Sequence, residues 1–77
     1  MKTLEEFVEL FAEQFDETDA SEITADKKFR ELDEWSSLIG LSVIAMVDEE
    51  FDVTLRGDDM RKANTPAELY EIVLSKI

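Results

Sequence analysis

The side chains that carry out most enzymatic chemistry are scarce in this chain. It has no histidine and no cysteine in 77 residues, its two glycines form no phosphate-cradling loop, and its single tyrosine, Tyr70, sits in a helical pattern without an activating partner. The absence of both Cys and His excludes the usual structural zinc sites. Carboxylates are abundant, but so short a chain leaves little room for a substrate cleft around a catalytic pair. The run Asp16-Glu17-Thr18-Asp19-Ala20-Ser21-Glu22 superficially suggests a calcium loop. Its sixth position, however, is Ser21 instead of glycine and its twelfth is Lys27 instead of glutamate. No catalytic and no metal-ligating residue is therefore assigned, and the chain is read as not being an enzyme. What remains is a pair of hydroxyls, Ser36 and Ser37, heading the apolar run Leu38–Val47, which closes on Asp48-Glu49-Glu50-Phe51. Serine is a preferred N-cap, so simple capping accounts for either hydroxyl as readily as chemistry does.

The elements that must position these hydroxyls belong to one small domain, residues 1–77. Chains below roughly 70 to 80 residues rarely bury a generous core, so stability should be modest. Twenty Asp plus Glu against eight Lys plus Arg give a net charge of −12, which repels nucleic acid and anionic membranes and attracts basic protein patches. Acidic chains can be disordered, but 44% hydrophobic residues, with five Phe and one Trp, supply enough apolar surface to fold. The segment Met1–Glu6 lacks the basic stretch and apolar core of a signal peptide, and no run is long enough to cross a bilayer. The expectation is a cytoplasmic monomer that does not insert into membranes or bind nucleic acid.

Helical periodicity runs through most of the chain. Thr3 and Glu6 form a capping-box pattern ahead of Leu4, Phe7, Val8, Phe11 and Phe15, predicting a first helix over 3–15. Residues 16–36 break the period, and Ile23, Phe29, Leu32 and Trp35 are spaced as anchors pinning a long loop to the core. A second helix is expected over 37–51. At about 100 degrees per residue, Val43, Ile44, Val47 and Phe51 share one arc with Gly40, while Leu38, Leu41 and Ala45 form another. A small bundle cannot bury both, so the first arc is assigned to the core and the second to a docking surface. Asp58 or Asp59 could cap a short third helix through 60–63. Thr65-Pro66-Ala67-Glu68 is a strong start for a fourth, whose inward stripe is Leu69, Ile72, Val73 and Ile77. The fold class is all-α: a four-helix bundle of three longer helices and one short one, with a long loop between helices one and two.

Length, charge, helix order and the spacing from Ser37-Leu38 to Asp48-Glu49-Glu50-Phe51-Asp52-Val53 together resemble the acyl carrier proteins. In that family a serine followed by leucine, at the start of the second helix of a four-helix bundle, carries 4'-phosphopantetheine. The resemblance implies that Ser37 is the attachment site, with Ser36 as the helix cap, making the chain a phosphoprotein that holds acyl intermediates as thioesters. It implies delivery to fatty acid or polyketide type biosynthetic enzymes. A separate phosphopantetheinyl transferase would supply coenzyme A, magnesium and base, so the chain's lack of histidine is no obstacle. A phosphodiester at Ser37 would sit at a helix amino terminus, favoured there by roughly 0.3 to 1 kcal/mol when exposed.

The resemblance also assigns partners, namely ketosynthases, reductases or acyltransferases with basic docking patches, engaging Leu38, Leu41, Ala45, Asp48 and Glu49. Acids at a helix carboxyl terminus oppose the dipole, so local stability does not explain them, whereas docking does. The chain departs from the family pattern at Ser36, where aspartate is usual, and in the approach Leu32-Asp33-Glu34-Trp35-Ser36, which is one residue longer. Ile39 and Ser42 stand where acids are common. Trp35 is read as a packing anchor that could also shield the start of the arm. A core lined by Phe7, Phe11, Val47, Phe51, Leu69 and Ile72 could open to shelter an aliphatic chain. The alternatives are a peptidyl, aryl or D-alanyl carrier, or an unmodified acidic helical interaction module.

Overall fold

A computed structural model describes residues 2–77. The elements in order are α1 (Leu4–Ala12), α2 (Ser37–Phe51), α3 (Gly57–Lys62) and α4 (Pro66–Ser75), and no strand occurs among the described residues. Two short 3-10 turns, Ala20–Glu22 and Phe29–Glu31, punctuate the connection between α1 and α2. This is the all-helical bundle expected, with three longer helices and one short one. None of these helices is long and apolar enough to cross a membrane.

Local chemistry sets most of the helix starts. Thr3 Oγ1 accepts the Glu6 N–H at 3.2 Å while the Glu6 carboxylate accepts the Thr3 N–H at 3.0 Å, a reciprocal box that satisfies two orphan donors at the head of α1. The Thr3 contacts hold the Glu6 carboxyl below its ordinary pKa. At α4, Thr65 and Glu68 repeat the box, and Pro66 fills the first helical position, where its missing N–H costs nothing.

Three local expectations are corrected. α1 ends at Ala12, not at residue 15. Its final turn tightens to bonds from Gln14 N–H to Phe11 O and from Phe15 N–H to Ala12 O, both 3.1 Å, and the Gln14 amide caps Leu10 O. Phe15 therefore reaches the core from a turn. α3 starts earlier than expected, at Gly57, and Asp59 caps from its third position by accepting the Arg56 N–H at 3.0 Å. The Lys76 ammonium lies 3.3 Å from the same carboxylate, and together the Arg56 N–H and Lys76 keep Asp59 below the usual carboxylate range. Ile77 is 65% exposed, because α4 stops at Ser75 and the last residue lies beyond the inward stripe.

α1 packs against both α4 and α2, and α3 packs against α4. Phe7, Phe11, Phe29, Val43, Val47, Leu69 and Val73 are fully buried where these elements meet. Each such side chain contributes about 1.5 to 3 kcal/mol before the entropy of ordering is counted. Phe51 and Ile72 are half-buried at the edge of this core, Phe51 meeting the Phe7 ring edge-on at 5.6 Å. The long loop is tied to the core as expected: Ile23, Phe29 and Leu32 are buried. Its backbone also bonds to the α3–α4 connection, from Phe29 N–H to Asn64 O at 3.2 Å, and to the first turn of α4, from Ala67 N–H to Ala25 O at 2.9 Å.

Candidate functional site

The two adjacent serines at the head of α2 have different duties. Ser36 has extended backbone and is the N-cap, its Oγ accepting the Ile39 N–H, while its carbonyl accepts the first helical bond from Gly40 at 3.0 Å. Ser37 occupies the first helical position and is exposed. Because Ser36 supplies the cap, the N–H groups of Ser37 and Leu38 are left for solvent or a ligand. No acidic residue lies in the first turn of α2, so nothing there repels an anion drawn to the positive end of the helix dipole. A phosphoester at this hydroxyl fits its surroundings.

The approach to Ser37 is held by two residues pointing in opposite directions. A turn bond from Trp35 N–H to Leu32 O at 3.0 Å accommodates the longer approach. Glu34 reaches back to the segment that follows α1, where its carboxylate accepts the N–H groups of Asp16, Glu17 and Thr18 and the Thr18 hydroxyl. The Thr18 hydroxyl first, and these amides with it, hold the Glu34 carboxyl below its ordinary pKa. Trp35 turns inward. Its ring lies 4.5 Å from Phe29 between centroids and stacks on Phe11 at 6.4 Å with 9° between planes. It is thus the packing anchor expected.

Along α2 the two arcs separate as the periodicity requires. Gly40, Val43 and Val47 are buried, joined by Met46, which the arc assignment omitted, while Ile44 and Phe51 are half-buried. On the other side Leu38 is 72% and Leu41 62% exposed, and Ala45, Asp48 and Glu49 are exposed too. The spacing of these five residues puts them on one stripe running down from Ser37. Glu50 differs from its acidic neighbours: its carboxylate pairs with Lys2 at 3.4 Å.

Beside Ser37, an apolar pocket of about 320 Å³ lies between α2, α3 and the loop. Trp35, Gly40, Leu41, Ile44 and Met60 line it, together with Arg30, Ser37, Gly57 and Arg61. The α3 contributors were not legible beforehand, because they are brought to this edge by long-range contacts, among them the bonds from the Arg30 guanidinium to Met60 O and Ala63 O. None of the pocket residues belongs to the six core residues expected to open around cargo.

A small helical domain that presents an exposed hydroxyl at a helix amino terminus, flanked by an unpaired apolar and acidic stripe, is built to display a group, not to transform one. A family model described as the phosphopantetheine attachment site matches residues 5–73, and the chain belongs to that family. It is accordingly a non-catalytic carrier protein that bears 4'-phosphopantetheine covalently on a serine. Carriers of this kind work with a phosphopantetheinyl transferase and with acyl-processing enzymes. No curated protein and no solved structure matches the chain.

Proposed function

We propose that Ser37 is the serine that bears the arm and that the chain is an acyl carrier of the fatty acid or polyketide type, acting as a cytoplasmic monomer. The observation that carries this reading is the division of labour at the head of α2, where Ser36 caps and Ser37 stands exposed next to Leu38. Other serines within the matched residues suit the role less well. Ser42 is half-buried in mid-helix, and Ser21 lies in a 3-10 turn between the carboxylates of Asp19 and Glu22, which would repel a phosphate.

The arm, when bound, supplies the thiol on which acyl groups are held as thioesters. The chain's own residues orient and address it. The α2 amino terminus favours the phosphodiester by about 0.3 to 1 kcal/mol. Leu38, Leu41 and Ala45 offer apolar area to a partner, and Asp48 and Glu49 steer basic docking patches on ketosynthases, reductases or acyltransferases. Peptide mapping after co-expression with a broad-specificity phosphopantetheinyl transferase should place the added arm on Ser37. An arm on Ser36, Ser42 or Ser21 would overturn this assignment.

A further inference from the structure

We infer that Trp35 sets the class of cargo the carrier can shelter: a compact acyl group, short or aromatic, folds back into the lateral pocket beside Ser37, while a long aliphatic chain finds no way into the core. The inference rests on Ser37 bearing the arm. Ser37 itself lines the pocket, so the tethered group reaches it without leaving the domain.

Three observations carry it. The first is size: the pocket, about 320 Å³, lies at the small end of the roughly 300 to 1,000 Å³ typical of ligand sites. It follows α2 from Ser37 to Ile44, seven residues or about 10 Å of helix. The second is chemistry: indole, leucine, isoleucine and methionine walls suit carbon, and a flat ring could stack on Trp35 or meet the Met60 sulfur.

The third is the closed back wall. A Cβ on Gly40 would stand 3.7 Å from Trp35 Cζ2 and Cη2, so the space between the indole and the helix backbone would be filled by one bonded methyl group and does not admit a separate carbon chain. Behind Trp35 stand Phe29 and Phe11, both fully buried. Passage from the pocket to the centre of the bundle requires this aromatic stack to move, which close-packed interiors resist. The shelter is therefore lateral and shallow, in place of the opened core.

The test uses the intact protein loaded at its arm with butyryl, benzoyl or dodecanoyl groups, each confirmed by intact mass, and read by NMR. Butyryl and benzoyl cargo should shift the Trp35 indole and the Leu41, Ile44 and Met60 methyl signals and give NOEs to them. The dodecanoyl terminal methyl should show no NOE to Phe7, Phe11, Val47 or Leu69. In Trp35→Ala, such core NOEs from dodecanoyl should appear; if that variant does not fold, the wild-type chain-length series decides alone. Core NOEs from dodecanoyl in the wild type, or unshifted pocket signals with both compact cargoes, would overturn the inference while leaving Ser37 as the carrier residue. Absence of any mass gain would overturn both.

Discussion

Thr18 gives both its N–H and its hydroxyl to one oxygen of Glu34, at 2.8 and 2.7 Å, across sixteen residues of sequence. With the Asp16 and Glu17 amides the carboxylate closes a clasp between the segment after α1 and the approach to α2. Glu34 stands three residues before Ser37, so the clasp fixes the strand of chain from which the functional helix starts.

Glu34→Gln should lower the melting temperature, because an amide offers one acceptor oxygen and turns an NH2 group toward converging N–H donors. The pH dependence has a definite sign. The folded-state pKa of Glu34 is depressed, so its contribution is fully present above the ordinary glutamate range and is lost as pH falls through the lowered value. The wild type should exceed Glu34→Gln in stability at neutral pH, and the difference should shrink on acidification. Thermal denaturation of both proteins across the acid limb checks this; a gap independent of pH would refute the clasp as a charged one.

Ser36→Ala should cost about 1 kcal/mol by removing the α2 cap, while leaving the attachment of the arm intact. Urea denaturation measures the first effect and intact mass the second.

Asp48 and Glu49 sit in the last turn of α2, with no basic residue in that turn to answer them. Asp48→Asn or Glu49→Gln should each stabilise the free protein by about 0.3 to 1 kcal/mol at low salt, with the gain fading as salt rises. The same changes should slow acyl transfer with a partner enzyme that has a basic docking patch. Stability lost with either change would contradict the assignment of these acids to docking instead of folding. Glu50 is excluded from this test because it pairs with Lys2.

Asp52 ends α2 in the left-handed region, with φ 56° and ψ 41°. Asp52→Gly should raise stability by about 0.5 kcal/mol, since glycine takes this conformation without a Cβ clash. Equilibrium unfolding in urea provides the comparison.

Much of what is decided within a few residues was legible in the sequence, the end of α1 and the start of α3 excepted. The boxes Thr3/Glu6 and Thr65/Glu68, the bounds of α2 and the separation of its two arcs depend on local hydrogen bonding and on helical period, both of which the sequence shows directly. The exposed arc of Leu38, Leu41 and Ala45 followed from the same period, while Asp48 and Glu49 were assigned to it through the family resemblance. The Glu34 clasp, the approach of Trp35 to Gly40 and the share of α3 in the pocket depend on residues 5 to 33 positions apart, and no local pattern announces them. Asp59 shows a middle case: its capping chemistry was legible, but from a position inside the helix, where the Arg56 N–H and the Lys76 ammonium meet it. Met46 reached the core, and Ile77 left it, for reasons of packing and helix length that composition does not carry.

The most direct measurement is the intact mass of wild type and Ser37→Ala after co-expression with a broad-specificity phosphopantetheinyl transferase. Wild type should gain one 4'-phosphopantetheine, and Ser37→Ala should gain none while keeping its helical circular dichroism. A folded Ser37→Ala protein that still gained the arm would contradict the assignment of Ser37.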